Sequence, residues 1–412
     1  MKIILGVTGS IAAYKTMDLC RLWIQAGHEV KVVLTQGALQ FARPEVFTYL
    51  GVQDVFLPQD DFIPQKNSHL DSSHVLHIAL QKWCDRIIIA PCSANTLSYL
   101  AHGNAHDLLT SLFLCNLDKK VVIYPAMNTG MLSHPFTQEN WKRLDTLPHV
   151  VLCQPESGTL ACGDTGLGRL PDIVGIAQTA LIATKLKLNS KKILITTGST
   201  IAPLDPVRFL TNPSTGTTGL YLALHYLSLG HEVTVVAGYN ATLSLDFLKQ
   251  LPQYHLIRVS TTAEMLKAVQ EYFPLCDMYL SSAAVSDMEF TYHKEKIKKN
   301  NLVSSLDFNL APDILKEMLS QKKPHQKIVG FAAETNLDSN QIMELNQKWE
   351  NKNVDLLVGN NVSGHWENNS LLGFGDTLKK YTYYFMTSKN VYETQELNKY
   401  QLGSMIDSYL KI

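Results

Sequence analysis

One cysteine of this 412-residue chain lies in a loop that offers it almost no bulk to pack against. Cys162 falls within PESGTLACGDTGLGRLPD, residues 155–172, among four glycines. Cysteine usually packs in apolar cores as a small hydrophobe, and this composition disfavours that role. A thiol with its ordinary pKa of about 8.5 is protonated yet transferable near neutral pH, so Cys162 is suited to general acid chemistry.

The turn after the first apolar run has the composition of a phosphate site. GVTGSIA, residues 6–12, is predicted to be a strand, a turn and a helix, with Ser10 placed to cap the helix and to donate to a phosphate. It lacks the GxGxxG of dinucleotide-binding folds. This element favours a phosphate-bearing ligand, and a merely tight turn is the alternative.

Two further polar clusters follow apolar runs in the first half. Ser93, Asn95 and Thr96 stand where the next helix should begin, and capping would need only one of them. In PAMN, residues 125–128, the amide of Asn128 needs hydrogen-bond partners. Ligands of open α/β sheets bind beyond the carboxyl ends of the strands, so these side chains are candidates for ligand contact.

The second half contains another strand-to-helix turn, ITTGSTIAPLDPVRFLTNPSTGTTG at residues 195–219. A nicotinamide-dinucleotide fold is disfavoured, because no GxGxxG occurs and no acidic residue ends the next strand, VTVVAG, to hold a ribose. Farther on, EKIKK at 295–299 follows a strand end, and Lys348 and Lys352 are one helical turn apart. Lysines that converge on strand ends suit a triphosphate, although a solvated helix face is the ordinary alternative.

The elements that must position these groups are short apolar runs alternating with amphipathic segments. The strands predicted in the first half are KIILGV (2–7), VKVVLT (30–35), RIIIAP (86–91), KVVIYP (120–125) and VVLC (150–153). Because these runs are continuously apolar, they indicate a parallel sheet with helices on both faces. A helix is predicted over residues 11–27, where apolar residues recur at three and four.

The pattern restarts after the polar KLNSKK, which predicts a domain boundary near residue 189. The strands predicted beyond it are KILITTGST (192–200), EVTVVAG (232–238), DMYLSSAAV (277–285), KIVGFAA (327–333) and DLLVGNN (355–361). Residues 373–396 suit a β-hairpin before a last helix. The expected architecture is therefore α/β, with two doubly wound domains at 1–189 and 190–412.

Composition favours small-molecule chemistry. Lys and Arg number 36 against 37 Asp and Glu, so nothing suggests a nucleic-acid surface or a polybasic membrane anchor. The N-terminal apolar run is short and meets Gly6 and Gly9, which favours a buried strand over a signal peptide. Seven thinly spread cysteines, with no CxxC pair or zinc spacing, fit reduced thiols in the cytoplasm.

Together with HIAL (77–80) and ACGD (161–164), the first-half motifs resemble the flavin-dependent cysteine decarboxylases, and among these the phosphopantothenoylcysteine decarboxylases. The resemblance covers residues 1 to about 185 in the family's order. It implies a flavodoxin-like fold that binds FMN between the subunits of a trimer. The FMN contacts that it implies are Gly9, Ser10, Ile11, Thr35, Ser93 and Asn95.

The same resemblance implies roles for three reactive residues. His77 would serve the flavin-dependent oxidation, Asn128 would hold the substrate carboxylate, and Cys162 would donate a proton from a glycine-rich flap. His74 lies one helical turn earlier, but His77 has the family's HIxL context. Oxidation of the substrate's CH₂–SH to a thioaldehyde creates the electron sink that makes loss of CO₂ easy, and the resulting enethiol must then be reprotonated.

The second half resembles the phosphopantothenate–cysteine ligases, in the form fused behind the decarboxylase in many bacteria. The motifs are SSAAVSDMEF (281–290), EKIKK (295–299), APDIL (311–315), GFAAET (330–335) and KWENKNVDLLVGNNV (348–362). The resemblance implies a Rossmann-like ligase domain that uses CTP and Mg²⁺, and an acyl-cytidylate that cysteine attacks. The implied residues are Asn212 for the acyl intermediate, Arg208 for its chemistry, Lys296 for turnover, and Ala283, Asp287, Lys296, Phe331, Lys348 and Lys352 as nucleotide contacts.

Three positions depart from the resembled families. Thr217 replaces a lysine of SSGKMG, Ser199 replaces a glycine of the GGT turn, and Leu132 replaces an aromatic after PAMN. The loss of a cation near phosphates leaves the preference for CTP over ATP open, although Arg208 and Lys296 remain.

The sequence therefore predicts a bifunctional enzyme of coenzyme A biosynthesis. It would join cysteine to 4′-phosphopantothenate and then decarboxylate the product to 4′-phosphopantetheine. Trimeric flavin domains and dimeric ligase domains are expected, in a homo-oligomer as large as a dodecamer. The alternatives are a flavoprotein decarboxylase with an altered or inactive ligase half, and a regulatory flavoprotein, which would need none of His77, Asn128 and Cys162.

Overall fold

The computed structural model describes residues 1–63, 75–161, 163–298, 306–334, 354–361, 380–387, 391–393 and 396–411. The chain divides into two compact units. Unit 1 comprises Met1–Lys185 and Phe247–Pro252, and unit 2 comprises Leu186–Asp246 and Gln253–Ile412.

Unit 1 is built on a six-stranded parallel sheet. Its strands are β1 (Lys2–Val7), β2 (Glu29–Leu34), β3 (Asp54–Phe56), β4 (Arg86–Cys92), β5 (Lys120–Pro125) and β6 (Val150–Leu152), in the order β3-β2-β1-β4-β5-β6. In the centre, Leu5 lies beside Val32 on one side and Ile88 on the other, and all three are fully buried. Burial on both faces explains why these strands are continuously apolar.

Helices flank this sheet between the strands. They are α1 (Thr16–Gln25), α2 (Pro44–Tyr49), α3 (Leu76–Trp83), α4 (Ala94–His102), α5 (Leu108–Cys115), α6 (Thr129–Ser133), α7 (Pro135–Asp145) and α8 (Ile173–Ile182). The single helix predicted over 11–27 differs from the structure, in which a 3₁₀ turn, Ile11–Lys15, precedes α1. Such tighter turns are frequent at helix N-termini.

The glycine-rich loop that carries Cys162 is a β-hairpin. Strands β7 (Glu156–Thr159) and β8 (Thr165–Arg169) pair antiparallel, with Thr159 opposite Thr165. Residues 156–169 are called the flap below. Cys162 itself lies outside the described residues.

Unit 2 contains an eight-stranded mixed sheet and two small two-stranded sheets. The strands are β9 (Lys192–Thr197), β10 (Ile201–Pro203), β11 (Phe209–Thr211), β12 (Glu232–Ala237), β13 (Tyr254–Arg258), β14 (Met278–Ser281), β15 (Met288–Phe290), β16 (Phe308–Leu310), β17 (Lys327–Glu334), β18 (Leu356–Asn361), β19 (Tyr383–Met386) and β20 (Val391–Glu393). The main sheet has the order β13-β12-β9-β14-β17-β18-β19-β20, and β10 pairs with β11 and β15 with β16. The first six strands of the main sheet are parallel, whereas β19 and β20 are antiparallel to their neighbours.

The helices of this half of the chain are α9 (Thr217–Ser228), α10 (Ser244–Phe247), α11 (Thr262–Tyr272), α12 (Ile314–Ser320) and α13 (Lys399–Leu410). The prediction of a hairpin before a last helix agrees with β19, β20 and α13. Both halves have the doubly wound α/β architecture, which confirms the predicted fold class.

Candidate active sites

A cavity of about 530 Å³ opens in unit 1 at the carboxyl ends of β1, β4 and β5. Gly9 and Ser10 follow β1, Ser93 follows β4, and Asn128 follows β5, and all four line the cavity. The parallel sheet thus brings together residues from three separate motifs. This cavity is called the flap cavity below.

Two contacts set the shape of the turn after β1. The buried Thr8 hydroxyl donates to the carbonyl of Pro91 at 2.8 Å and accepts from the N–H of Ser93 at 2.7 Å, which ties the end of β1 to the end of β4. A Cβ on Gly9 would lie 3.0 Å from the Cα of Gly37, which is tighter than an ordinary contact, so glycine suits this position. The turn therefore holds its backbone in a fixed place at the cavity wall.

The Ser93 hydroxyl caps a helix, whereas the Ser10 hydroxyl does not. Ser10 precedes the 3₁₀ turn but makes no capping bond with its side chain, contrary to the capping expected from the sequence. Ser93 caps α4, because its hydroxyl accepts from the N–H of Thr96 at 3.3 Å. The hydroxyl of Ser10, which lines the flap cavity, is therefore not occupied by helix capping.

The predicted FMN contacts do not all line this cavity. Ile11 lines it with Gly9, Ser10 and Ser93. Thr35 is buried behind the wall, where its hydroxyl accepts from the N–H of Ala38 at 3.3 Å. Asn95 is exposed on α4, and among the described residues neither Thr35 nor Asn95 belongs to the lining.

The base of the flap is attached to the loop that carries Asn128. The N–H of Met127 donates to the carbonyl of Gly168 at 3.0 Å, and the Thr129 hydroxyl donates to the carbonyl of Leu167 at 2.8 Å. Gly168 has φ +137°, and a Cβ there would lie 2.1 Å from the carbonyl oxygen of Met127. Only glycine permits this approach. Asn128 is exposed, and its side-chain oxygen accepts from the N–H of Gly130 at 2.8 Å.

The tip of the flap reaches the cavity. Leu160 and Ala161 line it, on the N-terminal side of Cys162. A tight turn closes the tip, because Leu160 donates to the carbonyl of Asp164 at 2.8 Å and Gly163 donates to that of Leu160 at 2.9 Å. Ala161 and Gly163, which flank Cys162, are both exposed. The described neighbours of Cys162 therefore belong to an open turn and not to a core.

The six cysteines that the structure describes are buried or partly buried, whereas the residues on either side of Cys162 are exposed. Cys20, Cys84, Cys92, Cys153 and Cys276 are buried, and Cys115 is partly buried. Burial raises the pKa of Cys84 to about 12 and that of Cys115 to about 11. These thiols stay protonated at neutral pH and act as packing residues.

The predicted catalytic histidine is held by a carboxylate that sequence reasoning missed. The Nδ1 of His77 lies 2.8 Å from Oδ2 and 3.0 Å from Oδ1 of Asp61, and the His77 N–H donates to Oδ1 at 3.2 Å. The Asp61 side chain is only 11% exposed. His77 is not among the described residues that line the flap cavity, and His74 lies outside the described residues.

Unit 2 has a cavity of about 510 Å³ at the carboxyl ends of β9, β14 and β17. Four predicted residues line it together: Asn212, Ala283, Asp287 and Phe331. Lys348 and Lys352 lie outside the described residues. This cavity is called the ligase-half cavity below.

Asn212 is oriented by the backbone after β14. Its side-chain nitrogen donates to the carbonyls of Ala284 at 3.2 Å and Val285 at 3.3 Å. Both amide hydrogens therefore have acceptors, and the side-chain oxygen remains for other contacts. The role implied for Asn212 at the acyl intermediate would require one of these bonds to break if the side-chain nitrogen is the contacting group.

Arg208 and Lys296 lie apart from the described lining of this cavity. The Arg208 guanidinium donates to Asp205 Oδ2, at 2.9 Å from Nε, and to the Ile297 carbonyl at 2.6 Å. Burial acts to raise the pKa of Asp205, but the bonds from Arg208 and from backbone N–H groups outweigh it and hold that pKa well below its usual range. This contact fixes the segment in which Lys296 is exposed.

Ser199 and Thr217, the two positions of the second half that depart from the resembled ligases, have different surroundings. Ser199 is fully buried, and its hydroxyl accepts from Thr211 Oγ1 at 3.0 Å, so a serine is accommodated behind the wall of the cavity. Thr217 is the first residue of α9, and it lines the cavity. The lining also contains a cation that sequence reasoning missed, Lys399 at the start of α13.

Two features are absent from the residues that the structure describes. No group of three or more His, Cys, Asp or Glu side chains there could by itself hold a metal ion. Among the helices that the structure describes, none is long and apolar enough to cross a membrane.

Comparison with known proteins matches both halves. A family model described as Flavoprotein matches residues 1–185, and one described as DNA/pantothenate metabolism flavoprotein C-terminal domain matches residues 188–410. The chain is 37% identical over 390 residues to the coenzyme A biosynthesis bifunctional protein CoaBC of Bacillus subtilis, which covers 93% of this chain and 90% of that protein. It is 36% identical over 366 residues to CoaBC of Haemophilus influenzae, covering 88% and 87%. A solved PPC decarboxylase in complex with pantothenoylaminoethenethiol matches 44% of this chain and 96% of its own, with 34% identity and a TM-score of 0.39.

Proposed function

This chain belongs to the family of bifunctional coenzyme A biosynthesis proteins, and from that premise we propose that it makes 4′-phosphopantetheine in two steps. Residues 190–412 join cysteine to 4′-phosphopantothenate, and residues 1–189 decarboxylate the product. The observation that carries the proposal is the composition of the flap cavity. There the Gly9–Ser10 turn, Asn128 and the tip that bears Cys162 meet.

The residues of the flap cavity fit FMN. The hydroxyl of Ser10 and the backbone of Gly9 lie at the wall beside a short helical turn, where a phosphate can accept hydrogen bonds. Ile11 and Met127 add apolar side chains that suit a flat ring system. Bound FMN would supply a two-electron oxidation of the substrate's CH₂–SH and return the electrons after CO₂ has left.

The chain's own residues bind the substrate and move its protons. Asn128 holds the carboxylate that leaves, and Cys162 donates a proton to the enethiol carbon. Lys15 and Arg169 also line the cavity, and neither side chain has a hydrogen-bond or ion-pair partner among the described residues. Two such cations suit a substrate that ends in a phosphate.

The position of His77 supports a site shared between copies of the chain. His77 does not belong to the described lining of the flap cavity, although it serves the oxidation in this proposal. A trimer of flavin domains that binds FMN between subunits would bring a neighbouring copy's His77 to the cavity. Dimeric ligase domains would extend the trimers, and the free cysteines fit a cytoplasmic enzyme.

The ligase-half cavity is proposed to bind CTP and Mg²⁺. Asp287 and Asp313 bring carboxylates to its wall, and Mg²⁺ is held in proteins by carboxylates together with substrate phosphates. Ala283 and Phe331 provide apolar surface for the base. The phosphopantothenate carboxylate attacks the α-phosphorus of CTP and displaces pyrophosphate, and the cysteine amine then displaces CMP from the acyl-cytidylate.

One assay tests both halves. Purified full-length protein is incubated with FMN, phosphopantothenate, cysteine, CTP and Mg²⁺, and the products are identified by mass spectrometry. We expect a yellow protein, pyrophosphate, CO₂ and 4′-phosphopantetheine. A colourless protein that takes up no FMN would remove the decarboxylase function, and failure to consume CTP or ATP would remove the ligase function.

A further inference from the structure

The side chain of Asp205 is fully buried in the turn between β10 and β11. Its Oδ1 accepts from the N–H groups of Val207 at 2.9 Å and Arg208 at 2.8 Å, and its Oδ2 accepts from Nε of Arg208 at 2.9 Å. A buried carboxylate is costly unless it is paired and hydrogen-bonded, and here both oxygens have donors. The turn therefore holds the backbone and the guanidinium of Arg208 in one place.

The same ion pair also binds a second segment of the chain. The N–H of Ile297 donates to Oδ2 of Asp205 at 3.1 Å, and the Ile297 carbonyl accepts from Nη2 of Arg208 at 2.6 Å. Both backbone polar groups of Ile297 are thus bonded to residues that lie far earlier in the chain. Asp205, Arg208 and the backbone of Ile297 are called the clamp below.

Lys296 lies in a short arch between the clamp and a second backbone contact. The N–H of His293 donates to the carbonyl of Leu204 at 2.9 Å, directly before Asp205. Residues 294–296, which lie between these two anchors, are exposed. The backbone of Lys296 is therefore confined at both ends of the arch.

The turn and the arch are both continuous with the wall of the ligase-half cavity. Strand β11 leads from the turn to Asn212, and the arch follows Asp287 through β15. Asn212 and Asp287 both line the cavity. The clamp thus joins two segments that each meet the cavity, and it fixes where the arch lies relative to them. Such precision matters, because a displacement of about 1 Å can cost a catalytic group about a hundredfold in rate.

The same bonds limit what Arg208 can do in the ligase reaction. Its guanidinium is bonded to a carboxylate and a carbonyl, and it does not belong to the described lining of the cavity. Direct contact with an acyl intermediate would require Arg208 to leave Asp205 behind as a buried carboxylate without its cation. Separation of a buried ion pair is strongly unfavourable, so the geometry favours a role within the clamp.

We propose that Asp205 is a positioning residue of the ligase reaction, and that it acts with Arg208 by holding the arch from which Lys296 serves turnover. The proposal rests on the ligase function proposed above and on the role that the resemblance implies for Lys296. It assigns Arg208 to the clamp in place of contact with the acyl intermediate.

The test is a cycle of full-length variants: Asp205→Asn, Lys296→Gln and the double variant. Pyrophosphate release is measured at saturating CTP, phosphopantothenate and cysteine, at a temperature at which circular dichroism shows every variant folded. We expect kcat of Asp205→Asn to fall at least about tenfold, while KM for CTP changes less than about twofold. Because Asp205 acts through Lys296, the double variant should be within about twofold of Lys296→Gln alone.

Asp355→Asn is the matched control. The Asp355 carboxylate is 17% exposed, pairs with Lys322 at 2.7 Å and accepts from the N–H of Ile328 at 2.7 Å. It precedes β18 and so lies at the amino end of the sheet, whereas the cavity lies at the carboxyl ends of the strands. Its kcat should stay within about twofold of wild type, because distant sites act independently.

Other outcomes separate the inference from the function. A wild-type kcat in Asp205→Asn would overturn the inference. A double variant whose loss is the product of the two single losses would do so as well, because Asp205 would then not act through Lys296. If Asp205→Asn does not fold, Arg208→Lys takes its place in the cycle, since lysine keeps the charge but not the planar fork that binds both partners.

Failure of both clamp variants to fold would give the clamp a role in folding and overturn the inference. In each of these cases the ligase function stands if wild type releases pyrophosphate from CTP or ATP. If wild type consumes neither nucleotide, the inference and the ligase function both fail.

Discussion

Both carboxylate oxygens of Asp61 lie within hydrogen-bond distance of the His77 imidazole, at 2.8 and 3.0 Å from Nδ1. The same carboxylate accepts from the His77 backbone N–H at 3.2 Å, so it fixes both the start of α3 and the ring. A carboxylate at Nδ1 holds a proton there and leaves Nε2 as the free nitrogen. Asp61 is therefore expected to act as a positioning residue for the oxidation step.

Asp61→Asn should slow that oxidation at least about tenfold, within the range that positioned acid–base groups contribute. FMN content should not change. The rate is measured as loss of flavin absorbance after anaerobic mixing with phosphopantothenoylcysteine. Asp118→Asn is the control, because Asp118 contacts the same helix through Gln81 but not through His77. A normal bleaching rate in Asp61→Asn would contradict the positioning role.

Cys162→Ser should release CO₂ and then accumulate an oxidised enethiol. The reason is that decarboxylation precedes the protonation for which the thiol is required. Products are followed by CO₂ capture and mass spectrometry, with Cys84→Ser as the control because Cys84 is buried and its pKa is raised to about 12. Formation of 4′-phosphopantetheine at the wild-type rate in Cys162→Ser would show that another group donates the proton.

Gly168→Ala should detach the base of the flap. The added Cβ would lie 2.1 Å from the carbonyl oxygen of Met127, at a φ of +137° that disfavours alanine. We expect decarboxylation to fall at least about tenfold, as misplacement of a catalytic group does, while ligation is unchanged. Gly163→Ala separates the clash from backbone strain, since φ there is +90° but no atom lies within 4 Å of the added Cβ. Equal losses in the two variants would rule out the clash as the cause.

The Asp205–Arg208 contact should make stability depend on pH in a defined direction. The pKa of Asp205 is lower in the folded chain than the value of about 3.9 expected in the unfolded chain. The contact therefore stabilises the folded state above that pH, and the stabilisation is lost as the pH falls through the folded-state pKa. Asp205→Asn should lower the unfolding temperature at neutral pH, and its difference from wild type should shrink below about pH 4.

The measurement is thermal unfolding followed by circular dichroism over a series of pH values. Asp145→Asn is the control, because its carboxylate is 59% exposed and pairs with Lys185 at the surface, where ion pairs contribute little. A difference between Asp205→Asn and wild type that stays constant with pH would show that the ionised carboxylate is not what stabilises the contact.

Strand positions were predictable because burial on both faces leaves a continuous apolar signal. KIILGV coincides with β1, and the run at 120–125 with β5. The flap hairpin was not predicted, since its strands are short, exposed and glycine-rich and carry no alternating apolar pattern. The base of this hairpin is bonded instead to the loop that carries Asn128, which lies about 40 residues earlier in the chain.

The site residues that the sequence did not reveal are those defined by distant partners. Asp61 lies 16 positions before His77, and nothing in its local sequence distinguishes it from an exposed acid. Lys399 reaches the ligase-half cavity only because α13 packs along α9, a contact between segments about 180 residues apart. Motif spacing contains no information about such packing, whereas strand-end residues share one edge of the sheet by construction.

The strand orders also determine where each ligand must lie. In each main sheet the chain starts at an inner strand, builds outward on one side, and then crosses back to build on the other, so β1 borders β4 and β9 borders β14. At such a topological switch point, the loops after the two strands diverge and leave a crevice between them. The flap cavity has Gly9 and Ser93 on its two sides, and the ligase-half cavity has Thr197 and Ser282. The strand order by itself therefore creates one crevice in each half of the chain. Exchange of the loops that border this crevice can change the chemistry without moving the site.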